Sequence, residues 1–146
     1  MCGIIAIIRR PAQREVPTPT RLRKLIDSIP DATPEGLQGI HQLIESLALL
    51  ENETSGVPGT ISLLDDSKLL TLLIEKCKIV ETSITNLERT LDKTNSDLQD
   101  IEKTNAYIIQ VKDLLWSLSN DRVRLINSVR ELCQNKRERG LVETFT

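Results

Sequence analysis

Apolar residues in this chain recur in three different rhythms, and each predicts its own kind of element. Ile4, Ile5, Ala6, Ile7 and Ile8 form one unbroken run of mostly β-branched residues. Such a run predicts a short strand buried on both faces. Residues 11–19 hold Pro11, Pro17 and Pro19 among polar and charged neighbours and read as a linker. Helical spacing follows: Leu22, Leu25, Ile26 and Ile29 make one apolar face, with Thr18 or Thr20 as the cap and Pro30 as the stop. Thr33, Pro34 and Glu35 then mark a second helix start, because proline suits the first helical position and an acid suits the positive helix end. Leu37, Ile40, Leu43, Ile44, Leu47 and Leu50 supply its buried face, and residues 52–60, with Gly56, Pro58 and Gly59, read as the next break.

Beyond about residue 66 the rhythm becomes a heptad. Leu73, Cys77, Val80, Ile84, Leu87, Leu91, Leu98 and Ile101 are separated mainly by alternating steps of four and three, with Thr94 as the polar member. The pattern predicts a pair of long antiparallel helices near 66–93 and 97–139, turning at 93–96; the alternative is one continuous rod. Each helix of the pair would be roughly 40 to 60 Å long at the usual rise per residue. Gly140 stands where a C-terminal cap is expected. The fold class is therefore mainly α, a helical bundle or coiled-coil hairpin after one short N-terminal β-strand. Whether the seam from Leu73 to Ile101 is covered by the same chain or by self-association stays open.

Composition narrows the partners. Aromatic residues are only 2 % of the 146 positions, so the core must be aliphatic. Nineteen Lys and Arg against 21 Asp and Glu leave a net charge of −2, which gives a nucleic-acid backbone no overall attraction. No stretch approaches the roughly 18 to 20 apolar residues that cross a bilayer. The opening run is followed, rather than preceded, by Arg9 and Arg10, unlike a secretory signal. Cys2, Cys77 and Cys133 are odd in number and far apart, which fits no disulfide framework or CxxC site. These features together predict a cytoplasmic protein that binds neither membrane nor nucleic acid.

The candidate chemistry lies at the start. Removal of Met1, usual before a small residue, would leave Cys2 with a thiol and a free α-amine whose ordinary pKa values, about 8.5 and about 7.7 to 8.0, lie close together. The amine, directly or through a water, can then take the thiol proton, which makes Cys2 both nucleophile and base. Gly3 leaves backbone room beside the attacked carbonyl, and the strand from Ile4 would anchor the terminus. The opposing reading is a Cys2 that is incidental and packs as a small hydrophobe.

Met1-Cys2-Gly3-Ile4-Ile5-Ala6 resembles the opening of class II, or N-terminal nucleophile (Ntn), glutamine amidotransferases, among them most closely the glucosamine-6-phosphate synthases. The resemblance implies that the strand belongs to an αββα Ntn-hydrolase domain. It also implies that Cys2 attacks the side-chain amide of glutamine, and that the released ammonia passes to a sugar phosphate, fructose 6-phosphate, to give glucosamine 6-phosphate. No cofactor or metal is implied. The Arg-Gly-x-Asp-Ser-Ala segment and the later Asn-Gly pair of that family are not identifiable here. On this reading 1–10 is the first strand of the amidotransferase domain, 11–19 a linker, 20–139 a helical insertion and 140–146 the start of the return. Such a fragment should hydrolyse glutamine poorly or not at all, since one oxyanion donor alone is worth roughly 100- to 1000-fold. The competing class is a coiled-coil interaction or scaffolding protein without catalysis.

Other chemistry-bearing residues carry plainer readings. Cys77 and Cys133 read as core or surface thiols, His41 as a structural residue on a helix margin, and Trp116 as a bundle residue. Asp65 and Asp66 stand at a helix start, where acids are expected. Arg122, Arg124, Arg130, Lys136, Arg137 and Arg139 complement the negative end of a helix.

Overall fold

Helix signals and stops become six α-helices and one π-helical segment in the computed structural model, which describes residues 14–32, 34–91 and 98–138. Helix α1 spans Pro19–Ser28, α2 Gly36–Thr54, α3 Gly56–Asp65, α4 Ser67–Leu91, α5 Leu98–Trp116 and α6 Arg124–Glu138. The π segment Ser117–Val123 joins α5 to α6 without a break. Among the described residues every regular element is helical, so the chain is mainly α, and none of these helices is long and apolar enough to cross a membrane. The strand expected over 4–8, the turn at 93–96 and the return segment 140–146 lie outside the described residues.

Local signals act where the side chains predict, with two corrections. Thr18 caps α1, its hydroxyl accepting from the Arg21 N–H at 3.2 Å, and Pro19 fills the first turn. Asp66 caps α4, one carboxylate oxygen accepting from the Lys68 and Leu69 N–H groups at 2.9 and 3.0 Å. The first correction concerns α2. It starts at Gly36 rather than Pro34, because Gly36 has φ +64°, a left-handed backbone that separates Pro34 from the helix. Pro34 instead packs buried beneath Gly39.

The second correction removes most of the break expected over 52–60. Only Ser55 separates α2 from α3, and Pro58 and Gly59 sit inside the first turn of α3. Proline is tolerated there because the N–H it lacks would have no helical partner. Gly59 is required by crowding: a Cβ added to it would stand 2.2 Å from the carbonyl carbon of Thr54 and 2.3 Å from its oxygen. The two helices therefore meet backbone to backbone, a contact that only glycine allows.

Helix directions follow from paired side chains. His41 meets Tyr107, and Glu51 meets Ser117, so α2 and the run from α5 into the π segment travel the same way in a constant register. Glu88 pairs with Lys112 at 2.5 Å while Cys77 lies beside Ser119, so α4 and α5 run in opposite directions. Helix α1 packs on α2 and α4, and α5 packs on the same two from the other side. The space between them is filled by aliphatic side chains, including Leu22, Ile26, Leu47, Leu73, Ile84 and Ile108, each 1 % exposed or less. Burying such a side chain is worth about 1.5 to 3 kcal/mol, so this core dominates the stability. The heptad positions Leu73, Cys77, Val80 and Ile84 are covered within the chain, which leaves that stretch of the seam no surface for another copy.

The π segment changes which residues face inward. Through α5 the buried positions are Thr104, Ile108, Val111, Leu115 and Leu118, in steps of four and three. Continued unchanged, that rhythm would bury Arg122 and Leu125. The wider turn of the π segment holds back the register by one residue, so Ile126 is 1 % exposed and Leu125 is 47 % exposed.

The glycine geometry gives a test of opposite signs. Gly59→Ala should destabilise the chain by roughly 2 to 4 kcal/mol through its clash with the Thr54 backbone. Gly39→Ala, whose new Cβ would meet Pro34 at an ordinary 3.4 Å, should be neutral or stabilising by up to about 1 kcal/mol. Urea titration followed by circular dichroism measures both.

Candidate functional site

Cys2 and Gly3, the residues on which the sequence places catalysis, lie outside the described residues, as do the side chains of Lys136, Arg137 and Arg139. What the structure gives is the framework beside that segment and one groove of mixed chemistry. Arg14 is the first described residue. Its guanidinium donates to the backbone carbonyls of Asn52, Glu53 and Ser55, where α2 ends. Three residues on, the Pro17 carbonyl accepts the hydroxyl of Ser62, a buried residue of α3, at 2.7 Å. The segment from Arg14 to Pro17 is thus fixed at two points to the junction of α2 and α3.

The groove lies between α4, α5 and the π segment and has a volume of about 480 Å³. Cys77, Ile84 and Leu115 line it with Glu81 and Thr85 from α4, Lys112 and Trp116 from α5, and Ser119 and Asn120 from the π segment. Trp116 is not the bundle residue the sequence suggests. Leu115 takes the inward position and Trp116 is 58 % exposed on the groove's rim. Lys112 is held in an ion pair with Glu88.

Cys77 is a core thiol, 5 % exposed, as its heptad position implies. Burial pushes its pKa above the ordinary thiol value; a hydrogen bond from Ser119 works against this, and the Glu81 carboxylate adds to it. At neutral pH it is a protonated thiol, and the groove therefore offers a binding surface without an activated nucleophile. Cys133 is exposed on α6.

Two further polar groups are structural. Glu51, in the last turn of α2, accepts from Ser117 at 3.2 Å and from Arg122 at 2.8 Å, and so ties the π segment to α2. His41 lies on the surface, 3.7 Å from Glu45, with its ring edge-on to Tyr107 at 6.0 Å. The sequence gives no local signal for the groove, because its polar lining comes from the outer flanks of α4 and α5 and from the π segment, which only the fold brings together.

No protein-family model, curated protein or solved structure matches the chain.

The two described thiols should separate cleanly on labelling. Cys133 is expected to react with a maleimide within minutes at neutral pH, and Cys77 only on unfolding, as read by mass spectrometry of labelled peptides. Because the pKa of Cys77 is raised in the fold, its contribution to stability is complete below the unfolded thiol value. It should decline as pH rises from about 9.0 toward the folded value, and Cys77→Ala should flatten that decline in denaturation midpoints.

Proposed function

We propose that Cys2 is the nucleophile of a class II glutamine amidotransferase and that the helical unit over 14–138 is an insertion after the first strand of its catalytic domain. The observation that carries the proposal is the opening Met1-Cys2-Gly3-Ile4-Ile5-Ala6. A thiol, an adjacent α-amine after loss of Met1, a glycine and an apolar run follow one another there in the order the chemistry needs. The aliphatic core formed among the described helices, whose buried residues run from Leu22 to Ile126, supports the insertion.

In the proposed reaction the α-amine of Cys2 takes the thiol proton and the sulfur attacks the amide carbon of glutamine. Collapse of the tetrahedral intermediate breaks the C–N bond and releases ammonia, the nitrogen taking up the proton that the amine held. Water then cleaves the γ-glutamyl thioester to glutamate and restores the thiol. In the complete enzyme the ammonia passes to fructose 6-phosphate, giving glucosamine 6-phosphate. The 146 residues here lack a recognisable Arg-Gly-x-Asp-Ser-Ala segment, so this portion alone is expected to be inactive. A cytoplasmic location fits substrates of this kind.

The second reading, a helical interaction or scaffolding protein without catalysis, is favoured by one observation. Val57 of α3 and Leu132 of α6 are each more than half exposed.

The two readings part on glutamine hydrolysis by the complete protein. Cys2→Ala, or a tag that blocks the amine, should lower glutaminase activity at least about 1000-fold and leave the helical circular-dichroism spectrum unchanged. Full activity with a blocked amine would end the proposal, as would a mature protein that keeps Met1.

A further inference from the structure

The register shift at the π segment leaves an apolar face on the side of the molecule formed by α3 and α6. Val57, Ile61 and Leu125 border one hollow of about 360 Å³ between these helices and are 63 %, 40 % and 47 % exposed. Leu132, two turns beyond Leu125 on the same stripe of α6, is 61 % exposed. Single exposed leucines are ordinary, but a contiguous cluster marks an interaction surface. Two nearby arginines are drawn away from it. Arg122 is engaged by Glu51, and Arg130 turns under α6 to donate to the carbonyls of Leu63 and Leu64 at 3.0 and 3.2 Å.

We infer that this α3–α6 face is a self-association surface, on which two copies of the chain pair about a twofold axis with their α6 helices antiparallel. The choice of occupant rests on the stripe beside the leucines. Arg124 and Glu131 are both exposed and, like Leu125 and Leu132, are seven residues apart. Setting Leu125 against Leu132 of the second copy brings Arg124 of each copy beside Glu131 of the other, and symmetry makes the pairing twice. This meeting of opposite charges favours the antiparallel arrangement. The surface involves about three turns of α6 and the first two of α3. That places it at the low end of specific interfaces, near or below about 1,200 Å², and the dimer is accordingly weak and reversible. It is independent of the chemistry assigned to Cys2.

Sedimentation velocity of the 146-residue chain over a range of concentrations tests the proposal. The expected result is a monomer–dimer equilibrium that the double variant Leu125→Glu, Leu132→Glu weakens by about tenfold or more. Its helical spectrum should persist, since both side chains already lie outside the core. Glu131→Arg alone should weaken the dimer several-fold, and Arg124→Glu added to it should restore association by reversing both charges. A chain that stays monomeric at every concentration would overturn the proposal. So would a dimer that survives the leucine substitutions or yields to Trp116→Glu instead, and failure of the double charge reversal to restore pairing would overturn the antiparallel register.

Discussion

The last carbonyls of a helix have no partner within it, and in this chain those of α1, α2 and α3 are answered by cations from far along the sequence. Helices α1, α2 and α3 have no basic residue in their last turns. Lys76 of α4 donates to the Ile29 carbonyl at the end of α1 at 3.1 Å and also meets Asp31. Arg14 serves the end of α2, and Arg130 of α6 serves the end of α3. A cation at the negative end of a helix is worth about 0.3 to 1 kcal/mol when exposed and up to about 2 kcal/mol when partly buried. The larger consequence is topological. Each contact joins segments 38 to 67 residues apart, so the ends of three short helices hold the N-terminal segment, α4 and α6 in place around the aliphatic core.

A second constraint sets what the far end of the molecule presents. The π segment is fastened to α2 through Glu51, which accepts from both Ser117 and Arg122. An uninterrupted α-helix would carry Arg122 toward the core and bury Leu125, a charge inside and a leucine inside at the same level. The wider turn instead lets Arg122 reach a carboxylate, puts Ile126 in the core and turns Arg130 under α6 toward α3. Leu125 and Leu132 are displaced outward by the same rotation. The exposed apolar stripe of α6 and the cap on α3 are therefore two results of one change in helical pitch.

Much of this architecture was legible in the sequence because it depends on period. The spacing of Leu22, Ile26 and Ile29, and the heptad through Leu73, Cys77, Val80 and Ile84, named buried faces that the core contains. What period could not show was any feature set by contact between distant segments. Pro58 and Gly59 read as a loop because the close approach of Thr54 is invisible locally. Trp116 read as interior because nothing in its neighbours reveals that Leu115 takes the inward place. Lys76, Arg14 and Arg130 look like ordinary surface cations until the helix ends they serve are known. Cys2 is the reverse case: its proposed chemistry rests on position and type alone, and it lies outside the described residues.

These two halves bear on each other through the segment between them. A nucleophile at a chain end is useful only if the chain behind it is anchored, because orientation supplies much of the rate advantage. Here that chain is pinned twice. Arg14 grips three carbonyls at the end of α2, and Pro17 accepts from buried Ser62 of α3. Both anchors belong to the α2–α3 junction, the part of the fold that Gly59 draws backbone to backbone. On the amidotransferase reading, the helical unit is then more than an interruption between two pieces of a catalytic domain. It provides a fixed point at Arg14, twelve residues after the proposed nucleophile, and that point depends on the integrity of the α2–α3 junction.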